Sequence, residues 1–563
     1  MNHKLGILIA ILLISSLILI ACSSPATPTP AATTNPATTV APTTALTTTP
    51  PRTSVAPTSA SPAPTTLSPA PQPTSSSTAG SQQYGGILRV IMPGSALSLG
   101  DPTILQDSSS IMAAVPALET LVNTDNSGQF HGVLATDWTI APDGTSITFK
   151  LRKGVKFQDG TDFNAQAVKF NLDRYYQVFK TTSPINLWNG VDVVDDSTVR
   201  VNLKSFVNTI VGTFDGSAGM MISPTAFQKN GADWARLNPV GTGPYQLKSF
   251  ARDVATEYTR FDGYWGGKPY LDGIKFFSVA DPTTAQLFFQ SGGADVISTS
   301  SDAITADLIK KGYILEKRPG PMMSLIPDSK HATSPFADIK VRQAISYAID
   351  RQGIANTLGY GLWEVANQPA AAYQFGHIDN VPYTYDVAKA KQLMKDSGFP
   401  NGFKTSVIAS TTFGRDALVV IQAQLATIGI TLDIKMMDMA AWNDYVNKGW
   451  DNALLWGTHG MTFTNYVSTL TLYFSSTATR YPVLARPDGL DDLINKALAT
   501  PDYNTEKTLC QQAVKLLVDN ATEIPVYIAP ASYILNNTVH DTHFDSLAGS
   551  GFRWSVPTAW LSK

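Results

Sequence analysis

The chain has 563 residues, a formal net charge of −3, 43% hydrophobic residues and 15% charged ones. That length allows several domains with ample core. The near-neutral balance offers no basic face for a phosphate backbone, which excludes nucleic acid as an electrostatically selected partner.

The first predicted element is an export segment. Lys4 supplies a positive flank, and Ile7 to Ile20 is apolar apart from Ser15 and Ser16. This is the length of a secretory signal core, and no later segment holds eighteen unbroken apolar residues. The segment ends in Leu19-Ile20-Ala21-Cys22, which resembles a bacterial lipobox. The resemblance implies removal of residues 1–21 and diacylglyceryl attachment to the Cys22 thiol, because more than one buried acyl chain makes a durable anchor. The alternative is a plain signal peptide followed by an incidental cysteine. The only other cysteine, Cys510, lies in the amphipathic pattern "TEKTLCQQAVKLLV" and reads as a small buried hydrophobe without a disulfide partner.

Residues 23–83 are almost entirely Thr, Pro, Ala and Ser, with one charge at Arg52. Such a segment has too little apolar surface to offset its chain entropy, and its prolines bias it toward extended conformations. Residues 22–83 are therefore a tether, and the folded body is expected over 84–563, opening with the strand-like run Ile87, Leu88, Val90, Ile91.

Both periodicities follow. In "TSITFKLRKGVKFQDGTDF", Ile147, Phe149 and Leu151 alternate with Thr148, Lys150 and Arg152, and Asp143-Gly144 and Asp159-Gly160 supply turns at either side. Asn164 is then a predicted N-cap for a helix with Val168, Leu172, Tyr175 and Tyr176 on one face. "KVRQAISYAIDRQGI" predicts one helix that buries Val341, Ala344, Ile345, Ala348 and Ile349, with Arg342 and Gln343 outside. A further helix is predicted to open at Asp386, bury Ala390, Leu393 and Met394, and end at Gly398. Another carries Leu418, Ile421, Leu425 and Ile428 into Gly429 and the strand "ITLDIKMM". Alternating helices and strands argue α/β or α+β layers, and no repeat of fixed period is present.

The search for catalytic motifs is negative. The sequence has no HExxH, GxSxG, P-loop or CxxC, and "GTGPYQ" from Gly241 lacks the third glycine of a dinucleotide loop. None of the seven histidines forms an i, i+4 pair, so neither a preformed metal site nor a cofactor is expected, and the chain reads as a non-enzyme. Carboxylates paired only in three dimensions are invisible at this level. Ten Trp and twenty Tyr are the other resource. Those in "MAAWNDYVNKGWDNALLWGTHGM" fall where apolar runs give way to polar residues, a position suited either to core or to a pocket wall.

Several stretches in order resemble one family: "GGILRV", "LATDWTIAPDGTSITFKLRKGVKFQDGTDFNAQAVKFNLDR", "NPVGTGPYQLKSF" with "FDGYWGGKPYLDGI", "FADIKVRQAISYAIDRQGI" and "IQAQLATIGITLDIKMMDMAAWNDYVNKGWDNALLWG". Together they resemble the extracellular solute-binding proteins of family 5, the dipeptide, oligopeptide and nickel class that serves ABC importers. The resemblance implies an α/β, two-lobed, three-domain body of the periplasmic-binding-protein type II kind, with mixed sheets and a cleft between lobes. Residues 84–125, 237–316 and 532–563 would form a discontinuous first domain, 126–236 a domain inserted in it, and 317–531 the second lobe. Strands near Lys317–Asp328 and Glu523–Ala531 would form the hinge. Implied partners are a small or peptide solute, an ABC permease with its ATPase, and the membrane through the lipid anchor. The chain would work as a monomer on the outer face of the cytoplasmic membrane. A receptor of the same fold with no transport role is the first alternative and a hydrolase the second.

Ligand residues implied by the resemblance are Trp456, Gly457 and His459, then Asn465 and Tyr466 on the same loop, with Gln106, Ser108 and Ser109 on the first lobe. Peptide-binding members often carry an Asp shortly after the Trp, to pair with the peptide amino terminus. Here "WGTHGMTFTNYVS" has none, and a buried ammonium without a carboxylate is costly. Gln158 also stands where the family usually has His, a change expected to affect only a local turn. Gly241, Gly243 and Pro244 read as a turn and Trp138 as core.

Overall fold

The structure is a computed structural model, which describes residues 82–105, 107–459, 465–546, 554 and 556–563. The lipidation candidate Cys22, the tether and Gln106 lie outside the described residues.

An eleven-stranded mixed sheet runs through the body. Its order is Ile430–Met437, Phe403–Ser410, Ala453–His459, Ile314–Pro327, Ile524–Leu535, Val296–Thr299, Ile87–Met92, Gly273–Ser278, Ala255–Arg260 and Tyr245–Ala251, with the short Glu364–Val365 strand branching from Ile524–Leu535. Two long strands in the middle, Ile314–Pro327 and Ile524–Leu535, pair antiparallel from Ile314↔Leu535 to Leu325↔Ile524. At one end Ile524–Leu535 pairs with Val296–Thr299, and at the other Ile314–Pro327 pairs with Ala453–His459. These two strands therefore carry the sheet from one lobe into the other.

Composition explains the neighbouring strands. Val407-Ile408-Ala409 and Leu454-Leu455-Trp456 are continuous apolar runs that are buried on both faces, as expected for strands covered by helices on either side. Between them and the crossing strands, the pairing shifts register between Pro319 and Met322, opposite Pro530. A bulge with prolines on both strands breaks the regular ladder there. Gly320 sits in that bulge, and a Cβ at this position would lie 2.2 Å from the Ala529 carbonyl oxygen.

A separate antiparallel sheet of four strands (Ala135–Ile140, Ser146–Leu151, Thr198–Leu203, Trp188–Asp195) holds the alternating stretch. Ile147, Phe149 and Leu151 face its core with Trp138, and the Ala165–Phe179 helix packs on it, capped by Asn164 Oδ1 accepting from Ala167 N at 3.0 Å. The return to the large sheet is fixed by Gln158. Its Nε2 donates to the carbonyls of Gly243 (3.1 Å) and Tyr245 (2.9 Å), and its Oε1 accepts from Gly241 N (3.2 Å). A Cβ on Gly241 would lie 2.0 Å from the Ala117 carbonyl oxygen, so the close approach there admits only glycine.

The helices from Asp386 and before Gly429 form where the pattern predicts, over Val387–Lys395 and Asp416–Ala426, but the first ends at Lys395, before Gly398, and leaves Leu393 half-buried. The "KVRQAISYAIDRQGI" stretch differs. It forms two helices, Ile339–Ala348 and Arg351–Leu358, broken at Ile349-Asp350. Asp350 accepts from Gly353 N at 2.9 Å and so starts a new helix instead of continuing the first. Arg342 is buried and donates to the carbonyls of Phe336, Ala337, Asn520 and Ala521. Arg351 is buried too, and desolvation brings its guanidinium down to about 10, offset by carbonyls of Ala366, Pro525 and Ser346. Both arginines staple helices to the segment that leads into the second crossing strand and to its start. Periodicity read only the apolar stripe beside them.

Gly320→Ala is expected to destabilise the fold by about 1–3 kcal/mol, because the added methyl must displace backbone. Scanning calorimetry checks this as a lowered transition; an unchanged transition would mean the bulge relaxes freely.

Candidate functional site

The strand Ala453–His459, paired between Phe403–Ser410 and Ile314–Pro327, carries the first three predicted residues. Trp456 is fully buried and tilted against Tyr527 of the crossing strand, with ring centroids 5.9 Å apart. Its carbonyl accepts from Trp442 Nε1 at 3.1 Å, and Trp450 Nε1 donates to the Ala453 carbonyl at 3.0 Å. The aromatics of this segment thus hold the strand from behind. Gly457 leaves room for Tyr481 and Ile326: a Cβ would lie 2.8 Å from the Tyr481 hydroxyl.

His459, at the strand end, is buried and its Nε2 lies 2.8 Å from Glu523 Oε1. Glu523 is also buried, just ahead of the crossing strand Ile524–Leu535. Among the described residues, His459 Nδ1 and Glu523 Oε2 have no hydrogen-bond partner. Tyr473 and Phe474 rings flank the imidazole, with centroids 5.7 and 5.9 Å away. A buried pair with spare donor and acceptor capacity is a polar island in an apolar wall.

Asn465 and Tyr466 follow residues 460–464, which lie outside the described residues. Tyr466 is fully buried, and its hydroxyl donates to the Pro369 carbonyl at 2.6 Å. Asn465 Nδ2 donates to Glu506 Oε1 at 2.6 Å. Glu506, on the Tyr503–Asp519 helix, is 5% exposed, and burial pushes its carboxyl up to about 8 against the opposing pull of the Asn465 and Asn208 amides.

Asn208 comes from the loop after Thr198–Leu203 of the separate four-stranded sheet. Its backbone N–H donates to the Leu498 carbonyl (2.9 Å), and its Nδ2 donates to those of Ala497 (2.6 Å) and Thr500 (3.3 Å). The Tyr503 hydroxyl donates to the Ser127 carbonyl at 2.8 Å. The region of the four-stranded sheet therefore touches the helices Leu490–Ala499 and Tyr503–Asp519 away from the crossing strands.

Ser108 and Ser109 occupy the first turn of a helix, Ser108–Ala114, capped by Asp107 accepting from Ser110 N at 2.8 Å. Ser108 is exposed and Ser109 half-buried. Pro116, which has no N–H to donate, follows its last turn. None of the hydrogen bonds described joins these serines to the 456–466 segment. Two open concavities of about 580 and 380 Å³ lie elsewhere, the first along the Ala165–Phe179 helix and the second around Ser329 and Arg486.

Glu506, Glu523, Asn208 and Glu119 were missed by sequence reasoning. Glu119 is buried and accepts from Thr242 Oγ1, Tyr264 OH and Trp265 Nε1 at 2.8, 2.8 and 2.7 Å, tying the return segment down. Glu506 sits in a helix first turn after the N-cap Asp502, where an acid reads as ordinary dipole complement. No local signal distinguishes it. His459→Ala is expected to cost about 1–3 kcal/mol by leaving Glu523 buried and unpartnered. A double-mutant cycle with Glu523→Gln in denaturant unfolding checks this, and purely additive losses would mean the two are not coupled.

The family model for bacterial extracellular solute-binding proteins, family 5 middle, matches residues 129–480. The glutathione-binding proteins GsiB of Shigella flexneri and Salmonella choleraesuis are 34% and 36% identical over 359 residues, 62% of this chain and 69% of theirs. Among solved structures, HbpA2 from Haemophilus parasuis superposes with a TM-score of 0.76 at 23% identity, over 85% of this chain and all of that one. NikA from Brucella suis in complex with Fe(III)-EDTA gives 0.72 at 24% identity, over 84% of this chain and all of that one. The mixed sheets and two joined lobes are those of type II periplasmic binding proteins, and the chain belongs to family 5 of the bacterial extracellular solute-binding proteins.

Proposed function

We propose that this protein is the substrate-binding lipoprotein of an ABC importer. It captures an extracellular solute by closing its lobes about the two crossing strands and delivers that solute to a permease with its ATPase. The observation that carries this reading is the extended identity to glutathione-binding relatives across the family region. The domain limits belong to the same reading: 84–125, 237–316 and 532–563 for the first domain, 126–236 for the inserted one, 317–531 for the second lobe. They are supported by the separate four-stranded sheet and by the two strands that pass between lobes.

The solute class favoured is a short peptide or peptide-like molecule. A tripeptide is what the glutathione-binding relatives are named for, and one structural neighbour, DppA from Helicobacter pylori, is in complex with the peptide STSA. The segment after Trp456 lacks an acid for the amino terminus, and the buried carboxylates near it, Glu523 and Glu506, arrive from distant parts of the chain. Gly457, His459, Asn465, Tyr466, Gln106, Ser108 and Ser109 are retained with Trp456 as the residues proposed to border the solute. Trp456 and Tyr466 would act as its backing wall, given their burial. Chemistry on the solute is not part of this function.

Native mass spectrometry of the purified full chain is expected to show a retained ligand, and glutathione or short peptides should quench or shift Trp fluorescence on closure. No response to any peptide, with a chelate or sugar retained instead, would overturn the peptide assignment. For the anchor, metabolic labelling with a fatty-acid analogue is expected to mark the wild type, and Cys22→Ser to abolish both label and membrane retention. Equal membrane retention of the variant would exclude Cys22 as the attachment point.

A further inference from the structure

His459 and Glu523 form a buried pair that has to balance its charge within itself. Their side chains are 1% and 0% exposed, and His459 Nε2 lies 2.8 Å from Glu523 Oε1. Among the described residues, His459 is the one basic group that Glu523 pairs with. Arg480 lies over the Tyr473 ring, 6.0 Å from its centroid, and not on the carboxylate. The neighbouring phenol hydrogens are already spent: Tyr481 donates to the Thr458 carbonyl and Tyr466 to that of Pro369, both at 2.6 Å.

Two arrangements of hydrogens leave this pair without net charge. In one, an imidazolium donates Nε2–H to the carboxylate and carries a second hydrogen on Nδ1. In the other, the carboxyl donates its O–H to Nε2, and the neutral ring then holds its one hydrogen on Nδ1. A third arrangement, with Nε2–H on the carboxylate and Nδ1 bare, buries an uncompensated negative charge, which is the costliest choice in an apolar wall. Both neutral arrangements therefore make Nδ1 a donor. That nitrogen is buried and has no hydrogen-bond partner.

We infer that His459 Nδ1–H is the wall's donor to the solute, that it takes an uncharged carbonyl oxygen of a peptide-like molecule, and that Glu523 is the positioning residue that keeps the hydrogen on that nitrogen. The inference deepens the peptide reading above and rests on it. The place suits the role. His459 is the last residue of its strand, which runs parallel to Phe403–Ser410, and ligands of open α/β sheets lie beyond the carboxyl ends of such strands. The Tyr473 and Phe474 rings beside the imidazole leave the ring edge as the polar feature of that wall.

The same balance selects the solute group. A carbonyl brings an acceptor and no charge. A carboxylate on Nδ1 would bury a second anion near Glu523 against a single imidazolium. An ammonium offers only hydrogens and would meet a hydrogen there.

NMR of the full chain labelled at its histidine nitrogens reads the hydrogen directly, with His459 assigned from the resonance lost in His459→Phe. Without solute, wild-type Nδ1 is expected to carry a hydrogen; a bare Nδ1 would overturn the proposal. Glu523→Gln removes the charge that has to be balanced, and is expected to show a bare Nδ1 in part of the population. A spectrum unchanged by that substitution would overturn the positioning role of Glu523. Titration calorimetry with a tripeptide, its carboxy-terminal amide and its N-acetyl form tests the solute group. His459→Phe is expected to weaken all three by at least about tenfold, because each carbonyl is then buried without its donor. An effect of amidation or of N-acetylation that vanishes in His459→Phe would put a carboxylate or an ammonium on Nδ1 and overturn the carbonyl assignment. Should His459→Phe fail to fold, the wild-type Nδ1–H resonance decides: it is expected to move on saturation with tripeptide, and an unmoved resonance would overturn the contact. A hydrogen-bearing Nδ1 with no peptide bound by wild type would count against the peptide reading, and would overturn the solute contact with it.

Discussion

The pairing of Ile314–Pro327 with Ile524–Leu535 is the interaction on which the rest of the structure depends. Each strand contributes residues to separate cores, so one ladder joins them. A regular ladder of that length would resist bending. The register shift between Pro319 and Met322, with Pro530 opposite, removes ladder donors at that point. Gly320 then allows the strands to approach so closely that no side chain fits between them. Stiffness at both ends and a break between them are properties of the same residues.

On either side of this ladder the cores are built differently. The second lobe buries continuous apolar strands under helices on both faces, and Arg342 and Arg351 tie those helices to the start of the second crossing strand through backbone carbonyls. In the first lobe the return segment is held by polar clusters, with Gln158 on the glycine turn and Glu119 on Tyr264 and Trp265. Buried polar groups in these places set geometry, because each is expensive unless every partner is in register.

The contact at Asn208 carries that logic from the region of the four-stranded sheet to the helices Leu490–Ala499 and Tyr503–Asp519. A single asparagine meets three carbonyls at the junction of two helices, two through its side-chain amide and one through its backbone N–H. Closure in such a molecule balances solute contacts against a small set of direct lobe–lobe bonds, each contributing about 0.5–1.5 kcal/mol. The population of the closed state before solute arrives sets how much binding energy is left for affinity.

Much of the fold was legible from local pattern. Period-two alternation placed Ile147, Phe149 and Leu151 inward; Asn164 and Asp386 marked helix starts; and Gly429 marked the turn into a strand. These depend on residues a few positions apart, which is the range over which sequence order equals spatial order. The export segment, Cys22 and the Thr/Pro tract are likewise statements about composition. The break after Ala348, the burial of Arg342, and the meeting of His459 with Glu523 and of Asn208 with Glu506 are of another kind. The break is local, made by Asp350 with the Gly353 N–H, but the others depend on partners 64 or more residues away, such as Asn520 for Arg342, and an acid or amide looks the same in sequence whether it faces water or a distant carbonyl. Sequence determined the elements and the family likeness, because those are local and cumulative. Only tertiary structure decided which polar groups are desolvated together, because that is fixed by where the crossing strands bring the lobes.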